Sequence, residues 1–257
     1  MRLVRRITLV INAKAVLIAA LAVLSTLVCQ RFGWTADFPL TLIATAVVFP
    51  IVFSIGGAYK RREAALDEYG ELKAHGRALF FATRDWLEES DPELQDDAKR
   101  LLGGLLKDCR KLFMGPETQM RDQEAKVYRR FSEISRFIKR LRQRGLASGE
   151  CSRCNQYLSK MIISFETVKH IYQYRTPVTL RAYSDIFIFV LPVLYGPYFA
   201  ASSDDYAPGL KLVMPVLFSV ILTGLDAIQS HLENPFDQVG EDDIAINAEK
   251  FVERLAV

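Results

Sequence analysis

The sequence predicts an all-α membrane protein with four transmembrane helices and long cytoplasmic helices between the second and third. Three observations carry this. The apolar residues crowd into two blocks, roughly 7–59 and 178–230, while the stretch between them is rich in Lys, Arg, Glu and Asp. Four charge-free apolar runs lie in those blocks: Ala15–Cys29, Phe38–Ile55, Ile186–Ala201 and Leu212–Leu225. Proline sits in or beside three of them (Pro39, Pro50, Pro192, Pro197, Pro215), which helices in lipid tolerate and soluble helices mostly exclude. Half of the 257 residues are apolar and a quarter charged, averages that a soluble protein shares. Distribution along the chain, not composition, sets the class.

Residues 1–59 read as a first transmembrane hairpin, with spans at about 8–29 and 38–59. The basic start followed by an apolar run mimics a signal peptide. It lacks a small-x-small cleavage site before polar sequence, and a second apolar run follows closely, so it reads as a retained span. Each run falls short of the ~20 residues that cross a bilayer core comfortably. The long stems of Lys14, Arg181 and Lys211 can reach the interface and extend the usable length.

Residues 60–175 read as a cytoplasmic helical region. Between Arg61 and Trp86 there is no proline, and Ala65, Tyr69, Leu72 and Leu79 recur at helical spacing. A second helix opens at Asp91-Pro92, with Ser90 as expected N-cap, and carries Leu101, Leu105, Cys109 and Leu112 before Gly115-Pro116 stops it. A third, about 117–145, places Tyr128, Phe131, Ile134, Phe137, Ile138 and Leu141 on one face, and a fourth runs about 152–172. Residues 176–230 form the second transmembrane hairpin and 231–257 a cytoplasmic tail.

Loop charge orients the chain. Arg2, Arg5 and Arg6 precede the first span, Lys60, Arg61 and Arg62 follow the second, and Arg175 and Arg181 precede the third, whereas residues 202–209 are acidic. The positive-inside rule then puts both termini and the middle in the cytoplasm of a multi-pass protein of the plasma or inner membrane.

A formal charge of +3 is too small to argue for nucleic acid. The basic run at 138–144 reads either as a specific basic site or, preferably, as a solvated helix face near anionic headgroups. Cys151 and Cys154 form a lone CxxC with no second pair or nearby His, which is too few ligands for zinc. No phosphate-binding glycine loop, nucleophile elbow or HExxH is present, so nothing specific supports an enzyme.

Four segments, in order, carry a family resemblance. F-S-I-G-G-A-Y-K-R-R-E (53–63) follows the second span, and L-F-F-A-T-R-D-W (79–86) ends the next helix. T-P-V-T-L-R-A-Y (176–183) opens the third span. G-L-D-A-I-Q-S-H-L-E-N-P-F-D (224–237) and then E-D-D-I (241–244) follow the fourth. Together they resemble the bestrophin family over nearly the whole chain, with Arg61, Pro177 and above all Glu233-Asn234-Pro235-Phe236 matching its structural motifs. Arg62 and Glu63 stand where the family commonly has two tryptophans, Val52 replaces a small residue, and one extra residue follows Asn234.

The resemblance implies a bestrophin-like homopentamer whose second spans surround a pathway for small inorganic ions, anions foremost. It places a pore neck at Thr45, Phe49 and Phe53. Spacing of i, i+4, i+8 does put these three on one helical stripe, where packing against neighbouring helices is the competing reading. A second constriction would fall within 150–155. Asp237, Glu241, Asp242 and Asp243 match a region that binds activating calcium in animal relatives. They could equally form a cap or inter-subunit belt, as in bacterial-type relatives that need no calcium. No other cofactor is implied. A non-conducting membrane scaffold or sensor that offers its helical middle to a partner is the alternative function.

Overall fold

The computed structural model describes residues 11–37, 39–174, 177–202, 212–236 and 243–255. Arg2, Arg5, Arg6, Arg175 and most of the acidic 202–209 loop, which enter the orientation argument, lie outside the described residues, as does Lys211. The regular elements are α-helices: α1 Ala13–Phe32, α2 Leu40–Asp85, α3 Pro92–Met114, α4 Met120–Gln143, α5 Ser148–Gln173, α6 Val178–Leu194, α7 Gly196–Ala201, α8 Val213–Glu233 and α9 Ala248–Glu253, with a 3-10 turn at Glu117–Gln119. By length and composition four stretches can cross a membrane: Ala13–Phe32, one within Ile43–Asp85, one within Ser148–Ala201, and Val213–Glu233. The described residues fall into two compact units. One draws on Met1–Lys60 and Arg175–Asn234, the other on Arg61–Tyr174 and Pro235–Val257.

The first unit is the apolar one. Asn12 caps α1 by accepting from the Ala15 N–H at 3.0 Å, and Gly33, at φ 66°, ends it in the left-handed conformation that costs glycine nothing. Its core gathers Ile18, Val47, Ile51, Ile188, Leu191 and Leu222 around Tyr195 and Phe199. The prolines leave backbone carbonyls without their usual i+4 donors, and side chains fill the gaps. Pro197 has no N–H for the Val193 carbonyl, which instead accepts the Ser25 hydroxyl at 2.8 Å. Pro50 likewise frees the Ala46 carbonyl, towards which the Tyr183 hydroxyl is directed at 3.4 Å. Such substitution matters in lipid, where no water can satisfy an orphan carbonyl. Gly196 permits the first of these contacts, since a Cβ there would stand 2.2 Å from the Ser25 Oγ.

The second unit packs α3, α4, α5 and the tail with the later turns of α2. Ala65, Tyr69, Leu72, Leu79, Leu101, Leu105, Cys109, Leu112, Phe131, Ile134, Phe137, Ile138 and Leu141 are all buried, as their periodicity predicts. Tyr128 is the exception. It is 40% exposed, and its hydroxyl joins Glu166 and Lys169, because an amphipathic stripe has an edge where a phenol can face water. Asp91, not Ser90, caps α3. Its carboxylate accepts the Leu94 N–H at 3.1 Å with Pro92 at the first helical position.

The tail is part of this core. Phe236 stacks on Phe113 at 4.9 Å between ring centroids, and Ile244, Ile246, Phe251 and Leu255 are buried. Gly103 lets α9 approach α3, since a Cβ there would lie 2.7 Å from Val252 Cγ2. α2 runs unbroken through Pro50, Gly56-Gly57 and Gly76, so the backbone has no break at 59/60, where the sequence reading separates span from cytoplasmic helix.

Candidate functional site: an aromatic stripe on the second apolar helix

Between residues 45 and 58, α2 has two faces. Val47, Ile51, Ser54 and Ala58, at alternating spacings of four and three, are buried in the first unit. On the opposite side Thr45 is exposed, Phe49 is 60% exposed and Phe53 is 65% exposed. The two phenyl rings meet edge to face with centroids 4.7 Å apart. In such a pair the positive edge of one ring meets the negative face of the other. Val52 and Gly56 share this face, and a Cβ at Gly56 would meet nothing within 4 Å. Sequence reasoning at i, i+4, i+8 missed both, because a straight α-helix offers i+3 and i+7 positions on the same side. The Thr45 hydroxyl donates to the Thr41 carbonyl at 2.6 Å. Its one donor is thereby used within the helix, and Thr45 presents an oxygen acceptor and a methyl group.

The first unit also holds a charged network. Lys14, at the start of α1, reaches Asp185 on α6 at 3.0 Å and Asp226 on α8 at 2.9 Å. Arg181 donates to Ser230 at 2.8 Å and pairs with Glu233, whose other oxygen accepts from Gln229 at 3.0 Å. Charges on apolar helices are expensive unless paired, and these pair with one another. By sequence Lys14 and Arg181 read as interface anchors, and Asp226 is one residue of a motif string. Their acidic partners lie 171 and 212 residues away from Lys14, so no spacing rule could join them.

The remaining motif residues act on the backbone. Pro177 precedes α6, and its carbonyl accepts the Leu180 and Arg181 N–H groups at 3.0 and 3.1 Å. Asn234 follows the last residue of α8, and Pro235 and Phe236 form a buried turn whose Pro235 carbonyl accepts from Ile244 at 2.7 Å. Arg61 lies half-buried in mid-helix on α2. Of the acidic cluster only Asp243 is described; Asp237, Glu241 and Asp242 lie outside the described residues. Among the described residues no three His, Cys, Asp or Glu side chains come together to hold a metal.

Cys151 and Cys154 are free thiols buried in the second unit. Burial also drives the Cys109 thiol well above its ordinary pKa, with Asp108 adding to the shift. In the basic run, Arg140 pairs with Asp97 at 2.7 Å and Arg144 with Asp91 at 2.6 Å, so two of its three arginines are matched within the unit. Within 150–155, Ser152, Arg153 and Asn155 are the exposed positions.

No protein-family model and no curated protein matches the chain's sequence. Solved structures do match. A variant of a bacterial bestrophin homologue from Klebsiella pneumoniae superposes with a TM-score of 0.80 at 15% identity, covering 95% of this chain and 98% of that one. A second variant of the same homologue gives 0.79 at 16%, covering 95% and 100%. A variant described only as a membrane protein gives 0.79 at 16%, covering 95% and 98%. The chain therefore has the bestrophin fold over nearly its whole length, with a sequence that has diverged far from these structures.

Proposed function

We propose that this divergent bestrophin-like chain is a passive channel for small ions, chloride and other anions foremost, formed by five copies around their α2 helices. The reading rests on one observation above the fold itself. An apolar helix with one face committed to its own core turns two adjacent phenylalanines outward, edge to face, on the other. Five such stripes around an axis would stack rings at Phe53 and Phe49 with Thr45 beyond them. Aromatic edges would offset part of an anion's dehydration cost, and ring bulk would let the neck dewet and close. No covalent chemistry is involved. The protein would sit in the plasma or inner membrane with both termini cytoplasmic, the arrangement that the basic flanks favour. Calcium at 237–243 belongs to the same proposal as an activator, with a structural belt as its rival.

The native thiols make a direct test available, because Cys29, Cys109, Cys151 and Cys154 are all buried. Phe49→Cys or Phe53→Cys would add a single reactive thiol. A charged methanethiosulfonate reagent should block or reshape the current of either variant within seconds and leave the parent protein unaffected. Current that ignores the reagent in both variants would remove these residues from the pathway. Chemical cross-linking in detergent should end in a five-subunit band, and a stable monomer or dimer would sink the assembly.

A further inference from the structure

The second unit contains a cavity that the channel reading does not use. It lies between the turn of α2 at 69–77 and the tail at 245–254, with a volume of about 440 Å³. Lys73 and Arg77 project from α2, Lys250 from α9 and Arg254 from the residue that caps it, the members of each pair four residues apart. Among the described residues no carboxylate lines the cavity. Among the described residues none of these four cations is ion-paired, although Lys107 and Arg110 nearby on α3 both reach Glu249. Arg77 and Arg254 both lie close enough to repel the Lys73 ammonium.

The wall is built rather than loose. Tyr69 is buried, its hydroxyl takes the backbone N–H of Asn247, and Lys73 is held over its ring 4.2 Å from the centroid. Phe251 is buried beside it. Four cations gathered without a counter-charge cost free energy that a multivalent anion would recover. Two arginine forks match phosphate oxygens in pairs, and two ammonium groups add point charge.

We propose that this cavity binds a phosphate-bearing polyanion, a free diphosphate or a multiply phosphorylated lipid headgroup, and by doing so clamps the C-terminal helix to α2. Because the ligand bridges two elements distant in sequence, its binding is coupled to tail docking.

The test uses the full chain. Inorganic pyrophosphate is titrated against protein in neutral detergent, followed by calorimetry and by protease resistance of the tail. A parallel arm places the protein in phosphatidylcholine nanodiscs with or without phosphatidylinositol bisphosphate. The wild type should bind in at least one arm and protect its tail on binding. Binding in the detergent arm identifies free diphosphate as a ligand; binding confined to the phosphoinositide nanodiscs identifies the headgroup. Lys73→Gln and Arg254→Gln should each weaken binding about tenfold or more, the loss of one charge-assisted contact. Lys139→Gln, on an exposed face of α4, should not. Arg254→Gln relieves repulsion, so without ligand its melting temperature should equal or exceed the wild type's; Lys73→Gln relieves repulsion but also gives up the Tyr69 ring, so it serves as a binding variant only. Absence of binding in both arms, or equal weakening by Lys139→Gln, would overturn the proposal, whether or not the chain conducts.

Discussion

Removing Lys14 should destabilise the apolar unit more than removing Asp226, although they are partners in one contact. The Lys14 ammonium serves two carboxylates, at 2.9 Å and 3.0 Å. The Asp226 side chain is 8% exposed, while those of Lys14 and Asp185 are 37% and 43% exposed. Lys14→Met therefore strands a nearly buried carboxylate and also strips Asp185. Asp226→Asn leaves Lys14 with Asp185 and still offers an amide oxygen. Breaking a fully buried pair costs roughly 3–5 kcal/mol, and the partial exposure of Lys14 cuts that, so about 2–3 kcal/mol is expected for Lys14→Met. For Asp226→Asn about 1 kcal/mol is expected, the scale of one weakened charged hydrogen bond. The double variant should fall short of the sum by about 1–2 kcal/mol, since neither charge is then left alone. Reversible unfolding in mixed micelles supplies all three values. Additivity within about 0.5 kcal/mol would refute the reasoning, and so would a larger cost for Asp226→Asn than for Lys14→Met.

Other expectations follow from single contacts. Phe236→Ala removes a fully buried ring that stacks on Phe113 and meets Tyr172, and should cost about 3–5 kcal/mol, read as lost hydrogen-exchange protection in the tail and α3. Gly196→Val should disturb the apolar unit more than Ser25→Ala, since a β-branched side chain would enter the space that Ser25 Oγ occupies; thermal unfolding of both ranks them. Cys109 should resist maleimide at pH 8 until the protein is denatured, because burial raises its thiol pKa and closes access. The Glu249 carboxyl is held below its ordinary range first by its own backbone N–H and then by Arg110 and Lys107. A depressed folded-state value means its contribution is complete above the usual glutamate pKa and fades as pH falls through the lower one. The pH at which the tail becomes protease-sensitive should therefore shift in Glu249→Gln, and an unchanged profile would count against that pairing.

Much of the architecture was legible because lipid and water sort residues by simple rules. Four apolar runs announced four helices able to cross a membrane, and the stripes of α3 and α4 announced which residues are buried, with Tyr128 alone straying to the edge. The unbroken course of α2 was less visible. The sequence reading ends the second span at 59 and starts a cytoplasmic helix at 60, whereas one helix covers both, with the Tyr183 hydroxyl directed towards the carbonyl that Pro50 leaves free. The tail's place in the core was hidden too. Phe236, Ile244, Ile246, Phe251 and Leu255 are spread too thinly for a periodic signal and bury themselves only against helices far away in sequence. At the candidate site, the resemblance directed attention to Thr45, Phe49 and Phe53. Spacing could put them on one stripe but could not say which way that stripe faced. The Lys14 ion pairs and the cationic cavity join residues some 170 or more positions apart, and only the folded chain brings them together.

The central claim is conduction through an aromatic neck, and the reversal potential of purified protein in planar bilayers under a KCl gradient tests it most directly. The account predicts a shift towards the chloride equilibrium potential, with conductance altered by Phe49→Ala and by Phe53→Ala. Bilayers that stay silent with calcium supplied on either face, or currents that both substitutions leave untouched, would contradict it and favour a membrane scaffold.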